Sequence, residues 1–372
     1  MLRNNGERLI LAIILVFAIL LINFPVRAKA SSALSVNARA AAILEPSTGE
    51  MLYSKNADAP LPMASTTKIM TALVAIERED LDREITVDSR AVGIEGSSAY
   101  LRGGERLTLS DLLYALMLQS ANDAAAAIAY HFADSIEAFA DLMNDKASRL
   151  GLKSTHFTNP HGLDDDGHFT TAEDLAKIAA AALKYPEFRE IVSTKIKRVE
   201  KPGFSRVFVN HNKLLSRYDY CIGVKTGFTK KCGRCLVSAA ERDGITLIAV
   251  TLDCPDDWRE HDRMLDFGFN ILERTVLVKK DTFLHSLPVI GGDADTAVLS
   301  PLSDIFLIKR KTDPAPKAEL ELPRYLTAPV QAGTVVGWIK ITDSSGNVTR
   351  HPITVKETIN ETRKKGFFGL FK

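Results

Sequence analysis

The chain has 372 residues, 46% of them apolar and 25% charged, a balance that excludes a disordered, collagen-like or polytopic membrane protein. Its length favours two domains. Lys and Arg number 47 against 46 Asp and Glu, so the net charge of +1 provides no general basic footprint for nucleic acid.

Arg3 and Arg8 precede an unbroken apolar run from Leu9 to Ile22, which is short for a bilayer span. Asn23, Phe24 and Pro25 end the run, and Ala28-Lys29-Ala30 has the small-x-small pattern of a signal-peptidase site. Residues 1–30 therefore read as a secretory signal peptide, with an uncleaved anchor as the alternative. On either reading the residues after Ala30 leave the cytoplasm. Removing the segment takes away Arg3, Arg8, Arg27, Lys29 and Glu7, which leaves 43 bases, 45 acids and a net charge of −2.

The next elements follow in order. Ala40 to Leu44 and Glu50 to Tyr53 flank the turn residues Pro46-Ser47-Thr48-Gly49, which predicts a strand hairpin. From Ser65 onward Ile69, Ala72, Leu73 and Ile76 recur at helical spacing. Thr108-x-x-Asp111 is a capping-box variant ahead of Leu112, Leu113, Leu116 and Met117. An alanine-rich helix is expected from Asp123 to Phe132, with Ser120 and Asn122 in the connection before it. Thr170-x-x-Glu173 caps a further helix that ends before Pro186.

Strand-like runs follow at Arg206 to Val209, Ile222 to Thr226, Cys235 to Ala240 and Thr246 to Leu252, and then a helix from Asp257 to Gly268. A hairpin, a helical middle and a return to strands describe an α/β sandwich, one sheet joined from both chain ends and covered by helices. Residues 31–275 form this domain. In residues 276–356 alternation replaces helical periodicity, as in Thr334 to Ile341 and Val348 to Val355, which predicts a small all-β domain of β-sandwich type. Residues 357–372 end in Arg363-Lys364-Lys365 and a Phe cluster, the pattern of an amphipathic tail on a membrane surface. A peptide docking on the body of the protein is the alternative.

The four cysteines lie between Cys221 and Cys254, and Cys232-Gly233-Arg234-Cys235 spells C-x-x-C. A redox motif should open a helix, whereas Leu236, Val237 and Ser238 continue as a strand. Small core residues or one disulfide are the readings that remain. Asp164, Asp165 and Asp166 resemble a calcium cluster, but consecutive side chains do not converge and a solvated turn is expected. His161, between Pro160 and Gly162, is read as structural.

Ser65-Thr66-Thr67-Lys68 places a hydroxyl and an amine three residues apart on one helical face. A serine becomes nucleophilic only when a base takes its proton, and a lysine can serve once burial or a nearby cation lowers its pKa. Lys225-Thr226-Gly227 ends a strand-like run and could supply that cation. Ser120-x-Asn122 lies between the two at a helix junction. Each motif alone is weak; their order and spacing on an exported chain are specific.

Together they resemble the penicillin-interacting serine acyltransferases, and most closely the serine-type D-alanyl-D-alanine carboxypeptidases among the low-molecular-mass penicillin-binding proteins. The likeness extends to Pro62-Met63-Ala64-Ser65, Asn159-Pro160-His161-Gly162-Leu163-Asp164 and Gly223-Val224-Lys225-Thr226-Gly227-Phe228-Thr229. It implies a β-lactamase/transpeptidase-like antiparallel sheet covered by helices, with a peptidoglycan stem peptide as substrate and β-lactams as inhibitors. No metal and no organic cofactor is implied. Ser65 would be the nucleophile, Lys68 the base and Ser120 a proton relay. Asn122 would hold the substrate amide, and the N–H groups of Ser65 and Phe228 the oxyanion. Lys225, Thr226 and Gly227 would border the terminal carboxylate, with Arg259 near it. The implied place of action is the outer face of the cytoplasmic membrane or the wall. The competing readings are a β-lactamase, a transpeptidase and a non-catalytic wall-binding sensor. The second motif reads Ser-Ala-Asn where a class A β-lactamase has Ser-Asp-Asn.

Overall fold

A computed structural model of the chain describes residues 34–201 and 204–362. The expected signal peptide and the Phe-rich tail end lie outside the described residues. β1 (Ala40–Glu45) and β2 (Glu50–Lys55) make the anticipated hairpin, and the buried Glu45 carboxylate ties its turn by accepting from the N–H and hydroxyl groups of Ser47 and Thr48. β3 (Glu84–Thr86) pairs with β4 (Arg106–Thr108), and β5 (Ile196–Lys201) with β6 (Phe204–Val209). The main sheet is completed by β7 (Cys221–Thr229), β8 (Gly233–Arg242) and β9 (Ile245–Leu252), in the antiparallel order β2-β1-β9-β8-β7. The first strand thus pairs with the last, and the sheet is joined from both chain ends.

Helices cover both faces, which is why Ala-Ala-Ala-Ile-Leu in β1 is buried along its whole length. Ile248, Val250 and Leu252 of β9 enter the core shared with helices Lys68–Ile76, Asn122–Phe132 and Ala172–Ala182. On the opposite face Leu247 meets Gly268 of helix Asp257–Ile271, and His261 of that helix lies between the hydroxyls of Ser238 and Thr251. Burial lowers the His261 pKa to about 3, so this histidine is a neutral core residue.

The capping box at Thr108 and Asp111 is present. Other boundaries differ from those expected. Ser65 lies in a 3-10 turn, Ala64–Thr67, that leads into the α-helix at Lys68. Asn122 is the first helical residue rather than part of the connection. Thr171, not Thr170, caps the next helix, because the N–H and C=O of Thr170 are both engaged by Leu61 in an extended bridge. This helix ends at Ala182, before Pro186 as expected, and Pro186 opens a separate helix, Pro186–Ser193, where its missing N–H costs nothing.

The chain runs directly from the Asp257–Ile271 helix into β10 (Leu272–Val278), which pairs with β13 (Ile305–Arg310) across β11 (His285–Ile290) and β12 (Thr296–Pro301) in sequence. The six-stranded sheet runs β14-β16-β17-β12-β11-β15, where β14 is Lys317–Glu321, β15 Leu326–Thr327, β16 Val335–Thr342 and β17 Val348–Val355. Alternate residues such as Leu299, Ile339, Ile341 and Ile353 fill its core. The strand pairing therefore begins at Leu272, ahead of the expected boundary at residue 276. Residues 357–361, assigned to the tail by sequence, are held by bridges from Ile359 to Val330 and from Glu361 to Gly292, with Ile359 buried.

One buried acid braces the N-terminal domain. The Asp123 carboxylate accepts from the N–H groups of Ala99, Leu101 and Ala124 and from Ser98 Oγ. Asp123→Ala should leave those donors unsatisfied and cost about 3 kcal/mol. A urea-unfolding midpoint equal to that of the unmodified chain would contradict this role.

Candidate active site

The three motifs, separated by 54 to 160 residues of sequence, converge. Lys68 is 0% exposed, and its Nζ lies 3.0 Å from Ser65 Oγ, 2.7 Å from Asn122 Oδ1 and 2.6 Å from the His161 carbonyl oxygen. Burial, then the charge of Lys225, lowers the Lys68 pKa well below its ordinary range, while Asp123 opposes the shift. A neutral amine has two N–H bonds and one lone pair. Asn122 Oδ1 and the His161 carbonyl can only accept, so they take the two N–H groups and the lone pair is left facing the Ser65 hydroxyl. This is the arrangement of a base beside its nucleophile.

Backbone geometry brings the parts together. Gly162 has a φ of +86°, and a Cβ there would stand 2.0 Å from the Ala64 carbonyl oxygen, so only glycine lets the His161 loop pass against the Ser65 turn. At Gly227 a Cβ would lie 3.1 Å from the Ser65 N, which places the end of β7 beside the Ser65 N–H. His168, whose Nδ1 accepts from the Thr158 N–H, bonds Thr67 Oγ1 at 2.7 Å, and Thr67 donates onward to the Ala64 carbonyl. Burial holds the His168 pKa at about 4 and that of His161 at about 3, so both rings are neutral. His168 escaped the sequence reading because nothing in its local pattern points to Thr67.

Ser65, Ser120, Thr226, Gly227 and Phe228 line a cleft of about 370 Å³. Lys68, Asn122 and Lys225 are buried behind it. Asn122 is itself held, donating from Nδ2 to the Glu95 carbonyl and from its backbone to the Ser97 carbonyl. Burial brings the Lys225 pKa down to about 7, and its Nζ donates to the Thr226 carbonyl. Arg259 is not brought to the cleft: it pairs with Asp256 at 2.8 Å and its side chain is 66% exposed. The guanidinium that does line the cleft is Arg234, fixed by two hydrogen bonds to Asp257 and lying near the Trp258 ring. Arg234 sits across the β7–β8 ladder from Phe228, so hairpin register was the signal that could have found it. Ser97, His211 and Lys213 complete the lining and were also missed.

The acidic triplet diverges, as expected. Asp164 accepts from Thr229 and Asp166 from Lys231, so the loop clasps the β7–β8 turn. All four cysteines are free thiols, and burial raises their pKa, to about 12 for Cys235. Cys232, Cys235 and Cys254 are buried and Cys221 half-buried, and the raised pKa values keep all four as thiols rather than a reactive redox pair.

A hydroxyl on a helical turn, a buried amine against it and a Lys-Thr-Gly strand edge on an antiparallel sheet define a serine acyl-transfer enzyme of the transpeptidase-like fold. Residues 27–256 match the family model described as D-alanyl-D-alanine carboxypeptidase, and residues 273–361 match the C-terminal domain of penicillin-binding protein 5. The chain is 30% identical over 355 residues to D-alanyl-D-alanine carboxypeptidase DacF of Bacillus subtilis, covering 92% of this chain and 90% of that one. Penicillin binding protein 5 from Haemophilus influenzae superposes with a TM-score of 0.66 at 27% identity, over 88% of this chain and 98% of that one. The Streptomyces K15 DD-transpeptidase does so at 0.61 and 35%, over 64% and 98%. The chain belongs to the D-alanyl-D-alanine carboxypeptidase family of serine peptidases, which process cell-wall peptidoglycan.

The buried cations make stability depend on pH. Unfolded Lys225 holds its proton up to its ordinary value of 10.5, whereas folded Lys225 releases it near 7. The unfolded chain then binds more protons, so stability should rise with pH between about 7 and 8.5. The depressed histidines act in the same sense below about 6.5. Unfolding midpoints of the ligand-free enzyme should climb across this window, and climb less steeply in Lys225→Met, where buried Lys68 remains to act in the same sense. A midpoint falling from pH 7 to 8.5 would contradict the buried-lysine account.

Proposed function

We propose that Ser65 attacks the carbonyl between the two terminal D-alanines of a peptidoglycan stem peptide while the Lys68 lone pair takes its proton. The single observation carrying this reading is the fully buried Lys68 amine at 3.0 Å from Ser65 Oγ, with both other neighbours able only to accept. The new Oγ–C bond converts the carbonyl to an oxyanion, and the N–H groups of Ser65 and Phe228 receive that charge. The proton passes from Lys68 through Ser120 to the leaving nitrogen, the C–N bond breaks, and D-alanine departs. Water, deprotonated by the same amine, then cleaves the ester and regenerates Ser65.

Asn122 positions the substrate amide and the Lys68 side chain. Lys225 and Thr226 take the terminal carboxylate, with Gly227 keeping the strand edge open for close approach. Arg234, already at the cleft, supplies the guanidinium expected of Arg259, and a guanidinium suits a carboxylate because it can bind it through two hydrogen bonds. A β-lactam would acylate Ser65 by the same steps and inhibit the enzyme. The neighbour described as a DD-transpeptidase supports a second reading in which an amine replaces water in the last step.

Export follows from residues 1–30 as a signal peptide, and action at the outer face of the membrane or in the wall follows from the substrate. The basic and Phe-rich end beyond residue 362 is the element that would rest on the membrane surface. Arg363-Lys364-Lys365 supports this by charge and the Phe cluster by apolar area.

The test of the chemistry is D-alanine release from diacetyl-Lys-D-Ala-D-Ala by the full chain, with and without prior penicillin. Penicillin should block release, and Ser65→Ala should lower kcat by at least about a thousandfold and abolish fluorescent-penicillin labelling. Release that persists in Ser65→Ala would refute the nucleophile assignment. For the tail, deleting residues 363–372 from the signal-cleaved chain should abolish its sedimentation with anionic lipid vesicles. Undiminished sedimentation would refute the membrane reading.

A further inference from the structure

The segment from Gly96 to Leu101 leaves the catalytic cleft and is fastened from below. Asp123 holds Ser98, Ala99 and Leu101, and Arg206 donates to the carbonyls of Ala99 and Tyr100 while pairing with Glu105. What this frame presents is Tyr100, at a φ of 56° and 82% exposed. A large ring held in left-handed backbone, where few non-glycine residues sit, and displayed to solvent contributes nothing to the core.

Beside Tyr100 opens a second cavity of about 720 Å³, bordered also by Arg102, Arg106, Phe204 and Arg206. The same two chain segments border both cavities. Ser97 and His211 line the cleft at Ser65, and Tyr100 and the start of β6 line the second cavity a few residues further along. Arg106 pairs with Glu84 and Arg206 with Glu105, whereas the Arg102 side chain makes no ion pair among the described residues. An exposed aromatic face next to an uncompensated guanidinium suits a ligand that joins a ring to a carboxylate.

We infer that this cavity binds the acidic, sugar-linked end of the stem peptide, with a saccharide ring on Tyr100 and a carboxylate at Arg102. The inference rests on the carboxypeptidase reading of the cleft. Reach is consistent: three peptide residues between the reacting alanine and the sugar span about 10 Å, the most that Ser97 to Tyr100 can cover.

The experiment compares kcat/KM of the full chain for the disaccharide pentapeptide released from peptidoglycan by muramidase and for diacetyl-Lys-D-Ala-D-Ala. Tyr100→Asn, which tolerates the left-handed backbone, and Arg102→Gln are the variants. The unmodified chain should favour the disaccharide pentapeptide by at least about tenfold, and each variant should lower that value about three- to tenfold. Release from the tripeptide should stay within about twofold. Equal kcat/KM for the two substrates, or variants that lower both alike, would overturn the inference while leaving the carboxypeptidase reading intact. Release from neither substrate by the unmodified chain would overturn both.

Discussion

A primary amine withdrawn from water loses the solvation that favours its charged form, and the Lys68 Nζ is withdrawn completely. Its three polar neighbours can all be satisfied by a neutral amine, two as obligate acceptors of its N–H bonds and the third as a hydroxyl with a proton to give. The charge of Lys225, also buried, lowers the Lys68 pKa further. The rest of the catalytic domain can be understood as the means of keeping that amine dry and in contact with Ser65.

Two kinds of support do this. The first is close packing of backbone on backbone, which requires glycine: at Gly162 against Ala64 and at Gly227 against the Ser65 amide. The second is a layer of buried polar groups whose hydrogen bonds are satisfied within the protein. His168 and Thr67 fix the Ala64 carbonyl, Asn122 is tethered to the Glu95 and Ser97 backbone, and Asp123 secures the segment from Ser98 to Leu101. Such groups cost free energy when left unpaired, so the loops they hold have little freedom to open. Ser65 therefore sits at the meeting point of a helix, a strand edge and two loops held by such bonds.

Much of the architecture was legible because it follows from local periodicity. The hairpin of β1 and β2, the capping box at Thr108, the alanine-rich central helix and the alternating strands of the C-terminal domain are short-range patterns. The errors fell where a tertiary contact overrides the local rule. Thr170 carries the cap pattern but is drawn into a bridge with Leu61. Ile359 looked like the beginning of a tail until its pairing with Val330 placed it in the β core. Arg259 stands beside cleft residues in sequence, yet helical geometry turns it to Asp256, whereas Arg234 arrives through the register of β7 and β8.

The sequence by itself determined the class of fold, the order of its elements and the reactive residue types, since helical spacing already puts Ser65 and Lys68 on one face and ordered motifs carry the family likeness. Only the tertiary structure decided the burial of the amine and the walls of the cleft. Both depend on groups far apart in the chain, the His161 carbonyl and Asn122 around Lys68, and Arg234 and Trp258 around the opening. Burial and dielectric are properties of the folded surroundings, and no local pattern encodes them.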